Sequence, residues 1–368
     1  MRPDPFKIER YFAPREFKAP YMLSGSDCES MSVAELLELV PGSTEQLHDQ
    51  WLGYTEIEGS PSLRRRIAAL YDTIEPEDIL VHTGAGEVIF TFMNAALSPG
   101  DHIIVHYPCY QSLFQLAETI GSEVTRWVTR PESGWSLDLD FLDDHIRPDT
   151  RAVVINTPHN PTGYLMTRDD LAGIVEIASR HSTLLFSDEV YRGLEHDPAD
   201  RLPAACDLYE NAVSVGVLSK TYGLPGLRIG WLATRNAELR AGAVAIKDYT
   251  SLCNSAPSEI LAEIALQALD RIVARNLAIV RANLPLLDEF FVRRSDLFTW
   301  VPPRAGAIGF PRLSAGNVDV FCDEVLEGCG VLLLPGTVYD RDSDHFRVGF
   351  GRRNMPEALS QLELYLER

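Results

Sequence analysis

The chain is short of positive charge. Against 53 Asp and Glu it carries only 33 Lys and Arg, a formal net charge of −20, and a surface field of that sign repels phosphate backbones and anionic lipid. Nucleic acid and membrane are therefore not expected as partners. No apolar run is long enough to cross a bilayer, and the opening MRPDPFKIER has no hydrophobic signal region, so a cytoplasmic protein is expected. The six cysteines, at 28, 109, 206, 253, 322 and 329, form no C-x-x-C pair and no zinc-like spacing with the nine histidines. Free, mostly buried thiols and no metal site are the expectation. H-E-x-x-H, G-x-S-x-G and a Walker loop are also missing, as are internal repeats and low-complexity segments.

What remains is an ordinary globular composition: 368 residues, 45% hydrophobic, enough for two domains and a sizeable core. From Ile79 onward, short β-branched runs alternate with helix-period segments: 79–83, 103–107, 152–156, 183–187, 212–217 and 228–233. Strands apolar on both faces and separated by helices predict a mainly parallel sheet covered on both sides, an α/β fold. Ligands of such sheets gather beyond the carboxyl ends of the strands. Residues 1–45 read as a lead outside that sheet, in which Ser32 and Glu35 cap a helix whose Val33, Leu36, Leu37 and Val40 share a face. Two long helices are expected at 260–276 and 277–294, followed by short strands. The division is a large domain over 46–270, with the lead and 271–368 forming a smaller α+β domain.

Five segments fall at the ends of the expected strands. In VHTGAGEVIF (81–90), the backbone N–H groups of Ala85 and Gly86 at a helix start would suit a phosphate, or the glycines are a plain turn. The third glycine of a dinucleotide fingerprint is missing, since residue 89 is Ile. Tyr110, in YPCY, either stacks on a planar ligand or belongs to the core. Asn160, in NTPHNPTG, offers an amide donor and acceptor, or simply serves the Asn-Pro turn. Asp188 ends the apolar strand before DEVY; such a carboxylate needs a cation or strong donor, unless it caps a helix. In VGVLSKTYGLPGLRIGW (215–231), Lys220 can attack carbonyls to form a Schiff base and Arg228 can grip a phosphate, or Lys220 is a loop lysine in water. Phosphate cradle, aromatic, amide, buried carboxylate, amine and arginine together describe a pyridine aldehyde phosphate.

Those ordered motifs, G-A-G-E, P-C-Y, H-N-P-T-G, D-E-V-Y and S-K-T-Y-G-L-P-G-L-R-I-G-W, resemble the class I/II aminotransferases, the fold type I enzymes of pyridoxal 5′-phosphate. The likeness runs from about Gly53 to Gly351. It implies a large domain with a seven-stranded, mainly parallel sheet and a smaller α+β domain. It implies that Lys220 forms the internal aldimine and shuttles the substrate proton, that Asp188 pairs with the pyridinium nitrogen, and that Asn160 and Tyr191 bond the phenolic oxygen. Tyr110 would stack on the ring, and Ala85, Gly86 and Arg228 would bind the phosphate. Arg347 in HFRVGF would clamp the substrate α-carboxylate, with Asn160 and Gly25 beside the substrate. Tyr54 would reach the neighbouring subunit's phosphate in a homodimer with shared sites, near Asn254 and Ser255. One departure is Val217, where many relatives carry a phosphate-binding serine; Ser219 is the candidate substitute.

The implied reaction is transamination between an L-amino acid and a 2-oxo acid. GVLSKTYGLPGLRIGW, IKDYTSL, RAGAIGFPRL and GVLLLPGTVY are also similar to the family branch that includes capreomycidine synthase, which keeps a lyase or cyclase as the alternative. A non-catalytic regulator on this fold would add a basic helix-turn-helix module, and no segment is expected to form one.

Overall fold

A computed structural model describes residues 3–339 and 344–368. Its central sheet has seven strands: β1 (Ile79–His82), β2 (His102–Tyr107), β3 (Glu123–Val128), β4 (Thr150–Asn156), β5 (Leu184–Asp188), β6 (Ala212–Val217) and β7 (Gly230–Ala233). They lie in the order β1-β7-β6-β5-β4-β2-β3. All pairings are parallel except those of β7, which runs against both β6 and β1. Every residue of β1, β2, β5, β6 and β7 is buried, which is why these strands read as unbroken apolar runs. β3 was not foreseen. It lies at the sheet edge, mostly half-buried with both ends exposed, and interleaves Glu123 and Arg126 with its apolar residues, so no continuous run marks it.

Helices Ala85–Ala96, Ser112–Ile120, Leu139–His145 and Arg168–Arg180 connect the successive strands β1 to β5. Gly216 on β6 stands opposite Trp231 on β7, and a Cβ there would overlap the indole ring. The ring is held in place by its Nε1, which donates to the Tyr71 hydroxyl at 2.7 Å. Glycine at this point is a packing requirement.

Outside the sheet, two expectations change. The capping box forms as read, Glu35 N donating to Ser32 Oγ at 3.1 Å and Ser32 N to Glu35 Oε2 at 2.7 Å. The helix, however, spans only Val33–Leu37. Little more than one turn gives no lasting face, so Val33 is 49% exposed and Val40 lies past the end, leaving Leu36 as the deeply buried member. The two long helices are Ala256–Gln267 and Leu269–Arg293, so the break falls at Ala268 and 276–277 is continuous helix. Burial explains the division: the first helix is buried nearly all round, Glu259 and Glu263 included, whereas the second keeps one stripe, Ile272, Asn276, Val280, Asn283, Leu287 and Phe290.

Two asparagines in that stripe position the site. Asn276 donates to the Thr221 carbonyl at 2.9 Å, and Asn283 to those of Phe350 and Arg352 at 2.9 and 2.7 Å. The lead is joined to the C-terminal part by backbone bonds as well, Tyr21–Met22 pairing in parallel with Val331–Leu332. The six cysteines are free, four of them buried. Among the described residues no helix is long and apolar enough to cross a membrane.

Candidate active site

Strand direction explains why distant motifs meet. β1, β2, β4, β5 and β6 all point the same way, so the segments after their carboxyl ends share one edge of the sheet, and Arg228 joins them because it precedes the reversed strand β7. A cavity of about 880 Å³ opens there. Ala85, Gly86 and Arg228 line it, as do Asp188, Asn160 and Tyr191. So do Lys220, Tyr110, Gly25 and Arg347. A shallower groove of about 470 Å³, beside Arg65 and Arg66, shares no lining residue with it and holds no comparable set of groups.

The glycine turn and Arg228 form one unit. Gly84 has φ +83°, and a Cβ on it would stand 2.6 Å from Arg228 Nη2, whereas a Cβ on Gly86 would meet nothing within 4 Å. The guanidinium is thus packed against the start of helix Ala85–Ala96, whose first N–H groups are unpaired by the helix itself. Positive charge and free donors converge, as an anion requires. Val217 and Ser219 both line the same cavity, so the hydroxyl missing at 217 has a neighbour available at 219.

Asp188 ends β5 and caps no helix; its Oδ1 accepts one bond, from Val190 N at 3.3 Å. Burial pushes this carboxyl up to about 7, against the pull of the Lys220 ammonium. The Lys220 amine donates to Ser26 Oγ at 2.8 Å. Burial pushes its pKa down, partly countered by Asp27, so less free energy is needed to reach the neutral, nucleophilic amine than for a lysine in water. The Tyr191 hydroxyl is buried and makes no hydrogen bond of proper geometry among the described residues, although Ser26 lies near enough to ease its ionisation slightly. Tyr110 packs on Phe6 with ring centroids 4.8 Å apart.

Arg347, 3% exposed, makes four hydrogen bonds. Nε and Nη2 donate to the Ser24 carbonyl at 3.1 and 2.8 Å, and Nη1 to Tyr339 Oη at 2.9 Å and Asn160 Oδ1 at 3.3 Å. The expected carboxylate clamp is therefore already engaged by the protein, leaving one Nη2 hydrogen without an acceptor among the described residues. A carboxylate binding there shares or displaces the Ser24 carbonyl. Tyr54 alone among the predicted residues stays outside the cavity; it is 89% exposed. The neighbouring Thr55 hydroxyl donates to the Asn254 carbonyl at 3.1 Å, and Ser255 caps helix Ala256–Gln267.

The loop carrying Asn160 rests on a buried ring pair. His106 and His159 stack with centroids 3.9 Å apart at 14°. Burial pushes His159 down to about 3 and His106 well below the usual imidazole range, His159 further depressing His106. Between pH 6.5 and 3 the unfolded chain binds protons that the folded one refuses. Each ring's contribution is therefore complete above pH 6.5 and is lost as pH falls, at about 1.4 kcal/mol per pH unit. Both imidazoles are expected to stay neutral by NMR from pH 8 to pH 5; titration inside that range would contradict the burial argument.

A pyridine aldehyde phosphate fits this set of groups. The under-bonded Asp188 carboxyl can take a ring N–H, the orphaned Tyr191 hydroxyl can donate to an oxygen, and the glycine turn beside Arg228 can take the phosphate. The family profile described as aminotransferase class I and II matches residues 25–362. The chain belongs to that family. Class I and II aminotransferases are pyridoxal-phosphate enzymes of fold type I, and the sheet described above is their architecture. Capreomycidine synthase of Streptomyces vinaceus is 31% identical over 93% of this chain and 88% of its own length. A pyridoxal-phosphate-dependent aminotransferase from Streptococcus suis superposes with a TM-score of 0.94 at 33% identity, covering 100% of this chain and 99% of its own. The pyridoxal-phosphate-dependent cyclase OrfR gives 0.90 at 29% identity, over 100% and 98%.

Sequence reasoning missed Ser26, Asn156 and Tyr339. Asn156 Oδ1 accepts from Asn160 N at 2.7 Å while its Nδ2 donates to the Asp188 carbonyl at 2.8 Å, tying the two loops together. Ser26 lies 194 residues from Lys220 in sequence, so no local pattern announces it.

Proposed function

We propose that this protein is a pyridoxal 5′-phosphate-dependent aminotransferase that moves the amino group of an L-amino acid to a 2-oxo acid in the cytoplasm. One observation carries the reading: the Lys220 amine, the buried Asp188 carboxyl, the turn backed by Arg228 and the Arg347 guanidinium line a single cavity. Bound there, the cofactor supplies an electron sink for the substrate Cα. Lys220 holds it covalently, then takes and returns the proton at that carbon, a role favoured by its depressed pKa. Asp188 accepts the ring N–H, and the positive charge opposite draws its carboxyl down from about 7. Asn160 and Tyr191 donate to the phenolic oxygen, Tyr110 covers the ring, and Ala85, Gly86 and Arg228 hold the phosphate. Arg347 orients the α-carboxylate, with Gly25 on the cavity wall beside the substrate.

A second reading is a lyase or cyclase acting on a basic amino acid. Its support is the likeness to capreomycidine synthase and OrfR, together with Glu9 and Glu16 on the cavity wall. Incubation with an amino acid carrying an isotopic nitrogen label, plus a 2-oxo acid, separates the two by mass spectrometry. Label in a new amino acid means transfer; a ring-closed product or free labelled ammonia, with none transferred, would overturn the first reading.

The catalytic unit is proposed to be a homodimer. Trp51, Leu52, Tyr54 and Tyr249 are all strongly exposed, an apolar set suited to contact with a second copy. Light scattering should give the mass of two chains. Tyr54→Phe should raise the cofactor dissociation constant by roughly 10- to 100-fold, the loss of one bond to a charged phosphate. Unchanged affinity would remove Tyr54 from the partner's site.

A further inference from the structure

We propose that Tyr339 is a positioning residue whose single hydroxyl sets both the Asn160 amide and the Arg347 guanidinium; this rests on the roles given to those two groups above. Tyr339 closes the short turn Gly336–Tyr339 and is 1% exposed. A phenol so deeply buried must satisfy both its donor and its acceptor. Its hydroxyl donates to Asn160 Oδ1 at 3.0 Å and accepts from Arg347 Nη1 at 2.9 Å, while Nη1 also reaches Asn160 Oδ1 at 3.3 Å. The three groups form a closed hydrogen-bonded ring. The phenol is aimed from outside it: Tyr107 Oη donates to the Tyr339 carbonyl at 2.7 Å, and the Phe310 ring meets the Tyr339 ring edge-on, centroids 5.8 Å apart.

The arrangement has two chemical consequences. An amide is nearly symmetric in shape but not in polarity, and its orientation is decided by its partners. With two donors on Oδ1, the Nδ2 hydrogens are the edge left for the cavity, so Asn160 presents a donor to the phenolic oxygen of the cofactor; the opposite orientation would present a lone pair to an anion. The acceptor side of the same hydroxyl holds one arm of the Arg347 fork, so that less rotamer freedom is lost when a carboxylate docks.

The test compares holoenzymes of wild type, Tyr339→Phe and Tyr339 replaced by 4-aminophenylalanine, which keeps the shape and a donor but is a poor acceptor. The first readout is the pH at which the visible absorbance of bound cofactor titrates without substrate. Weakening the donor to the phenolic oxygen should move that midpoint up by roughly half a pH unit to one in Tyr339→Phe, and leave it in place in the amino variant. The second is the ratio of rates at which aminooxyacetate and methoxyamine, with and without a carboxylate, capture the bound aldehyde. Losing the acceptor should lower that ratio roughly three- to tenfold in both variants.

A merely structural role would lower thermal stability and move neither readout, and that result overturns the inference. If Tyr339→Phe fails to fold, the amino variant still decides through the rate ratio. A wild-type protein that takes up no pyridoxal 5′-phosphate would instead overturn the proposed function, and this inference with it.

Discussion

In Lys220→Ala, turnover of every amino acid is expected to fall by at least about 10³-fold, and the protein should lose the yellow colour of lysine-linked cofactor. Positioned proton transfer alone contributes roughly 10²–10⁴, and the covalent handle disappears with the same nitrogen. Among the described residues no other lysine lines the cavity. Tyr191, which lines the same cavity, has its hydroxyl pKa raised by burial, which makes proton release from it harder. The fold should survive, because the substitution removes a half-buried amine at the cavity wall and leaves Ser26 partly exposed to the cavity. Circular dichroism and the absorbance of cofactor-saturated protein check both halves. Activity within tenfold of wild type would remove Lys220 from the chemistry.

Arg347→Ala is expected to weaken binding of α-amino acids by about 2–5 kcal/mol, since a desolvated carboxylate would lose its charged partner. Arg347→Lys should recover little of that, because an ammonium cannot reproduce the planar fork. Part of the loss has another source. Arg347 also holds the Ser24 carbonyl and Tyr339, so truncation loosens the lead as well as the clamp. The corresponding decarboxylated amines separate the two effects: they lack the group that Arg347 grips. Titration of cofactor absorbance with both ligand types should show the acids weakened and the amines little changed. Equal weakening would mean that Arg347 acts only through the fold.

How much was legible follows from range. β1, β2, β4, β5, β6 and β7 are short, mostly apolar and almost wholly buried segments, and such runs announce themselves within a few residues. β3 did not, because an edge strand needs no continuous apolar face. Asp188, Asn160 and Lys220 were legible for the same local reason, Asp188 ending a strand and the other two standing a few residues beyond one whose end the pattern marks. The break at Ala268 was not, because both flanking segments are good helix and only packing tells one buried face from the next.

By itself the sequence determined the α/β class, the parallel core and the identity of the charged, amide and aromatic groups placed at the strand ends, since side-chain period and polarity are local properties of the chain. Only the tertiary structure decided which groups touch. It brought Ser26 to Lys220 and Tyr339 to Asn160 and Arg347, and it left Tyr54 facing outward. The Ser26–Lys220 and Tyr339–Asn160 contacts join residues more than a hundred positions apart; they depend on how sheet, lead and C-terminal segments close around one cavity, and no short stretch of the chain encodes that closure.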